Sequence, residues 1–164
     1  MIISILKELT KNENRVAATP QSVKDLIKNG VSVNIESGAG DPSFISDDDY
    51  KQSGANICSS PKEAIKGCDI IVKVNPPSKK EIDSFPEKKA FISFIQTTKE
   101  LDIVHRLTKR KITGFSMHLI PRTTLAQSMD ALSSQANIAG YKAVLNGASL
   151  LPVYMPLLMT AAGT

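Results

Sequence analysis

Short apolar runs alternate with helix-start signals from Ile2 to Phe115, and this alternation constrains the fold more than any other feature. The clearest run is Asp69 to Val74, which ends sharply at Asn75-Pro76-Pro77. Strands that alternate with helices over short connections are typical of parallel sheets covered by helices. The other apolar runs are Ile2 to Leu6, Val31 to Ile35, Gly54 to Ile57, Ala90 to Ile95 and Ile112 to Phe115. We predict an α/β fold with about six strands in an open doubly wound, mostly parallel sheet, flavodoxin-like in layout.

Helix starts are marked by capping residues. Thr19 precedes Pro20 and Ser60 precedes Pro61, and proline suits the first turn of a helix. Ser46 is a predicted N-cap, because the three aspartates that follow it complement the positive end of a helix.

A long helix is predicted from Ser128 to Asn146, with Ser128 as its N-cap and Gly147 as its end. Ala136 and Gly140 lie one turn apart on it and offer a small-residue stripe for close packing. An apolar tail follows from Leu150 to Met159. We predict an N-terminal α/β domain over residues 1–127 and an interdomain segment over residues 128–164.

Two cations follow predicted strands. Arg15 comes after the first strand and Lys73 ends the fourth. Ligands of doubly wound sheets gather at the carboxyl ends of the strands, so both side chains are expected to face one crevice. The alternative is that each is a surface cation, although the apolar neighbours of Lys73 favour partial burial.

Composition excludes several classes of protein. The net charge of +4 is dispersed, and 5% aromatic residues are too few for a nucleic-acid surface, so the basic cluster at residues 106–111 is interpreted as a solvated helix end. Two cysteines without CxxC spacing and only two histidines argue against a metal site. No signal peptide is expected at the N-terminus, and no apolar run approaches the roughly 20 residues of a membrane span.

Hydrogen-bonding side chains are unusually dense between Pro121 and Tyr141, at the entry to the long helix. An arginine can fork onto a carboxylate, phosphate or amide oxygen, and a glutamine offers both a donor and an acceptor. An aspartate and a serine complete the polar set. These residues are Arg122, Gln127, Asp130 and Ser133.

This segment resembles the signature loop and helix of the alpha subunit of proton-translocating NAD(P) transhydrogenase. Further motifs are similar to that family and occur in its order: ENRVAATP at 13–20, ESGAG at 36–40, KVN at 73–75, SFI at 93–95 and TAAGT at 160–164. The resemblance covers essentially the whole chain. It implies that Arg122, Gln127, Asp130 and Ser133 hold the nicotinamide end of NAD(H).

The resemblance implies hydride transfer between NAD(H) on this subunit and NADP(H) on a partner subunit, coupled to proton translocation. Arg122 and Ser133 would bind the carboxamide or ribose, Asp130 would orient Arg122 or the carboxamide, and Gln127 would lie between the two nucleotides. No catalytic acid or base is implied, since the nicotinamides carry the chemistry. The implied partners are an NADP-binding beta subunit, membrane-spanning subunits and a second copy in a homodimer. The implied location is the cytoplasmic side of the inner membrane, as a peripheral part of that complex.

Two alternatives remain open. Alanine dehydrogenase shares the N-terminal motifs, and Arg15 and Lys73 fit its substrate-binding cations. That enzyme also needs a histidine for proton transfer, and the sequence near Phe94 has Gln96 instead, which cannot serve as an acid or base. The second alternative is a non-catalytic scaffold or dimerisation fragment, because the glycine-rich dinucleotide fingerprint of the family's second, Rossmann domain does not occur in this sequence. On that reading the chain alone binds NADH weakly or not at all, whether it is a truncated product or a split subunit.

Overall fold

The computed structural model describes residues 1–153, and its centre is a six-stranded sheet in which every pairing is parallel. Each predicted apolar run contributes one strand. The strands are β1 (Ile2–Ile5), β2 (Ser32–Glu36), β3 (Asn56–Cys58), β4 (Ile70–Val72), β5 (Ala90–Ser93) and β6 (Thr113–Ser116). The predicted doubly wound α/β fold is therefore confirmed.

The strand order is β3-β2-β1-β4-β5-β6. A flavodoxin-like sheet has the order 2-1-3-4-5, so the predicted layout needs correction in this detail. Two successive strands are added on one side of β1 before the chain crosses to the other side. The sequence pattern could not show this, because each βαβ unit looks alike wherever its strand is placed. The crossing puts the topological switch point between β1 and β4.

The helices begin where capping residues satisfy free backbone amides. Thr19 Oγ1 accepts from the amide of Ser22 at the start of α1 (Pro20–Lys28), as predicted. Ser46 and Asp49 form a reciprocal capping box on α2 (Asp47–Gln52), and Ser60 caps α3 (Pro61–Ala64). A capping box at Ser78 starts α4 (Lys79–Ser84), and α5 covers Leu101–Lys109.

The sheet is covered on both faces. The cluster that contains Val23 of α1 and Tyr50 of α2 includes Ile3 and Ile5 of β1. The other cluster packs Ala64, Ile82 and Leu107 of α3, α4 and α5 against Ile71 and Phe91 of the sheet. Because the side chains of a strand alternate between the two faces, the nearly unbroken apolar runs are explained by burial on both sides.

The last helix differs from its predicted bounds. A 3₁₀ helix covers Thr124–Met129, and α6 extends from Ala131 to Leu150 with Asp130, not Ser128, as its N-cap. Gly147 does not end α6, since its carbonyl still accepts from the amide of Leu151. The helix stops because Leu151 precedes Pro152, which favours the extended conformation observed at Leu151.

Contacts divide the chain into two compact units, Met1–Leu119 and the segment from Ile120 onward. The domain boundary predicted after Gln127 stays a prediction. Residues beyond 153, which include most of the predicted apolar tail and the motif at 160–164, lie outside the described part of the chain. Within residues 1–153, no helix combines the length and apolar character needed to cross a bilayer.

Candidate functional site

The signature loop, residues 122–133, exposes its arginine and its glutamine to solvent. Both Arg122 and Gln127 are exposed, Gln127 on the 3₁₀ helix whose buried residue is Ala126. Across residues 1–153, neither side chain makes a hydrogen bond. Arg122 interacts electrostatically with Asp130 and helps to lower the pKa of that carboxyl group. The loop therefore leaves two strong hydrogen-bonding groups available to a ligand.

Asp130 and Ser133 are hydrogen-bonded to each other. Asp130 Oδ1 accepts from the amide of Ser133 at 3.0 Å and Oδ2 accepts from Ser133 Oγ at 2.5 Å. These two hydrogen bonds, first the one from the hydroxyl, lower the pKa of Asp130. Asp130 thus has a structural role as the N-cap of α6, which the sequence had assigned to Ser128. Capping keeps its carboxylate ionised beside Arg122.

A second polar cluster lies at the carboxyl ends of β1 and β4, in the first unit. Glu8 follows β1, and its carboxylate accepts from the backbone amides of Val74 at 2.6 Å and Asn75 at 3.3 Å. Burial raises the pKa of Glu8, while these amides and the charge of Lys73 oppose the rise. The loop after β1 is thereby fastened to the loop after β4 at the topological switch point.

Arg15 is oriented by Glu13. The Glu13 carboxylate accepts from Arg15 Nε at 2.9 Å and Nη2 at 2.7 Å, and also from Asn75 Nδ2 at 2.8 Å. The Arg15 guanidinium carbon lies 5.9 Å from the centre of the Phe94 ring, and the Phe94 and His118 rings form a T-shaped contact with their centres 5.7 Å apart. The structure therefore places Arg15 in the expected crevice with an acid, an amide and two rings.

Lys73 pairs with an acid on α4. Its side chain is only 2% exposed, and its Nζ lies 2.5 Å from Glu81 Oε1 on α4. The predicted burial of Lys73 is correct, but Arg15 and Lys73 bind different partners.

Sequence reasoning missed Glu8, Glu81 and His118. Only the Ser78-to-Glu81 capping-box spacing gave a signal for Glu81, since the other contacts join residues far apart in the chain.

The Glu13–Arg15 pair predicts a pH effect on stability. The hydrogen bond from the Arg15 side chain is the main cause that lowers the pKa of Glu13 from 4.5 to about 2. A depressed pKa in the folded state contributes stability above pH 4.5, and that contribution is lost as the pH falls towards 2. Urea unfolding measures the effect. From about pH 5 to about pH 3, the free energy of unfolding should fall more in the wild type than in Glu13→Gln.

The Arg15→Lys variant is the matched control, because it keeps the charge and loses the forked geometry. In that variant, the NMR titration midpoint of the Glu13 carboxyl carbon should rise. A wild-type midpoint near 4.5 would contradict the prediction.

Comparison with known proteins supports the family resemblance that the sequence motifs indicate. Residues 4–139 match the family model described as alanine dehydrogenase/PNT, N-terminal domain. The chain is 41% identical to an NAD(P) transhydrogenase subunit alpha polypeptide of Rhodospirillum rubrum, over 100% of this chain and 44% of that relative. It is 34% identical to alanine dehydrogenase of Methanococcus maripaludis, over 92% of this chain and 40% of that relative.

The fold also matches a solved structure, that of transhydrogenase from Sinorhizobium meliloti. The TM-score is 0.91 at 40% identity, over 99% of this chain and 48% of that one. The chain spans less than half the length of these relatives. The resemblance drawn from the sequence motifs is confirmed, and the chain belongs to the alanine dehydrogenase/PNT N-terminal domain family.

Proposed function

We propose that this chain forms part of the NAD(H)-binding component of a nicotinamide nucleotide transhydrogenase. The bound nucleotide would supply the hydride, and the protein would supply position. In this proposal NADP(H) binds a partner beta subunit, membrane-spanning subunits couple the reaction to proton translocation, and the subunit is a homodimer on the cytoplasmic side of the membrane. The names of the relatives, including the NAD(P) transhydrogenase alpha subunit of Haemophilus influenzae, support this reading.

The observation that carries the proposal is the state of the signature loop. A nicotinamide carboxamide presents one carbonyl acceptor and one amide donor. Arg122 offers only donors, and Gln127 offers both a donor and an acceptor. Both side chains are exposed and make no hydrogen bond within the described residues. Ser133, which the proposal also assigns to the nicotinamide end, is held in place by its two bonds to Asp130.

The alanine dehydrogenase alternative depends on the polar cluster around Arg15, which contains Glu13 and Asn75. Residue 96 is glutamine, and its backbone amide donates to Glu100 at 2.7 Å. The structure brings His118 to Phe94, however, so a histidine is present in this region although none is near in sequence. This contact is the one observation that favours the alternative. Alanine-dependent reduction of NAD⁺ by a complete subunit, abolished in His118→Gln, would support it over the transhydrogenase.

An arginine substitution tests the proposal directly. In a complete NAD(H)-binding subunit that carries this sequence, Arg122→Ala should weaken NADH binding by roughly tenfold to a hundredfold, the scale of a hydrogen bond from a charged donor. Arg122→Lys should lie between, because lysine keeps the charge without the fork. Fluorescence titration of NADH measures the effect.

Lys142→Ala removes another exposed cation of the same unit and is the control. Its NADH affinity should equal that of the wild type. Equal affinities for all three variants would exclude a role of Arg122 in binding the nucleotide.

A further inference from the structure

A second candidate site lies between α3 and α4, in the first unit. It is a pocket with a volume of about 340 Å³. That volume falls at the lower end of the roughly 300 to 1,000 Å³ typical of small-molecule sites. The buried side chains of Leu6, Ile65 and Phe85 line it, and most of the surface that the pocket exposes is apolar.

The pocket lies at the switch point of the sheet. Leu6 directly follows β1, Ile65 ends α3 before β4, and Phe85 ends α4 after β4. The strand order reverses between β1 and β4. Doubly wound sheets open a crevice at this point, because the connections on either side of it run in opposite directions. The fold therefore creates this cavity, and no side chain within residues 1–153 fills it.

Two lysines in the walls of the pocket have no ion pair among the described residues. Lys62 lies on α3 and Lys80 on α4. By contrast, the neighbouring Lys79 pairs with Asp102 at 2.8 Å.

The two glutamates of the lining already have donors. Glu81 accepts from Lys73 and from the amide of Ser78, and Glu36 accepts from the amide of Lys7. The third lysine of the lining, Lys7, has its ammonium group beside Gly38, so Lys62 and Lys80 are the cations that we assign to a ligand.

We propose that this pocket binds a small amphiphilic anion, a medium-chain monocarboxylate. Its hydrocarbon chain would contact Leu6, Ile65 and Phe85, and its carboxylate would lie between Lys62 and Lys80. Burial of the chain supplies most of the affinity, and the two lysines select the anion over a neutral molecule of the same length. The site is independent of the nucleotide-binding function.

Octanoate titration of the full chain, followed by ¹H–¹⁵N NMR, tests the site. Saturable shifts are expected at the amides of Leu6, Ile65 and Phe85, and octanol should bind more weakly. Lys80→Ala should weaken octanoate about threefold, and Lys62→Ala/Lys80→Ala by roughly tenfold, the range of partly exposed ion pairs. Lys79→Ala, which removes the adjacent lysine, is the matched control and should bind as the wild type does.

Ser84→Trp provides a test that does not depend on charge. Ser84 lines the pocket and is exposed, so an indole there should obstruct the cavity and abolish binding while the spectrum stays dispersed. If Ser84→Trp fails to fold, the lysine variants decide. Octanoate shifts confined to the exposed apolar residues of α6, or equal affinities for the Lys79 and Lys80 variants, would overturn the proposal.

Discussion

Replacing Gln127 with asparagine in a complete NAD(H)-binding subunit is expected to slow hydride transfer about a hundredfold and to weaken NADH binding less than about threefold. Asparagine keeps the amide and shortens its reach by one methylene. Gln127 lies on the 3₁₀ helix that precedes α6, with Ala126 buried beneath it, so the backbone cannot easily advance to restore the reach. A small displacement has a large effect on a reaction that depends on the approach of two rings.

Single-turnover kinetics and NADH titration separate the two effects. Ser128→Ala, on the same 3₁₀ helix, is the control. It should leave the rate of hydride transfer and the affinity for NADH unchanged. If Gln127→Asn lowers the rate and the affinity by the same factor, Gln127 binds the nucleotide without positioning the reacting rings.

The Glu81→Ala substitution should reduce the free energy of unfolding by about 3 to 5 kcal/mol, the largest effect on stability that we expect. It leaves the ammonium group of Lys73, whose side chain is 2% exposed, without its partner. Burial opposes ionisation of Glu81, yet the hydrogen bonds from Lys73 and Ser78 outweigh it and lower the pKa of Glu81. Glu81 is thus ionised at neutral pH.

Urea unfolding measures the loss of free energy of unfolding, and two further variants identify its cause. Asp102→Ala breaks the exposed pair with Lys79, whose side chains are 58% and 75% exposed, and should cost less than about 1 kcal/mol. Lys73→Met/Glu81→Ala should recover most of the stability, because the unpaired charge is gone. A double variant as unstable as Glu81→Ala would show that the helix cap, and not the charge, explains the loss.

Local chemistry made much of the fold predictable from the sequence. The six strands and the caps at Thr19, Ser46 and Ser60 follow from apolar runs and short-range hydrogen bonds. The errors occur where distant or competing interactions decide. The 3₁₀ helix displaced the N-cap of α6 from Ser128 to Asp130, and Pro152 rather than Gly147 set its end.

The candidate site was predictable only in part. The motif placed Arg122, Gln127, Asp130 and Ser133 in one segment, but the bonds between Asp130 and Ser133 became visible only in the structure. The partners of Arg15 and Lys73 come from separate loops and helices, and no periodicity encodes such pairs. Their roles in binding a nucleotide stay predictions.

The central position of β1 has a consequence for synthesis on the ribosome. A nascent chain emerges from its N-terminus and begins to fold in that order. β1, β2 and β3 leave the exit tunnel first and complete one half of the sheet. Until β4 emerges, the opposite side of β1 is an unprotected edge that neighbouring nascent chains can pair with. Slow translation while β4 is still inside the exit tunnel would prolong that interval and favour aggregation of the unfinished protein.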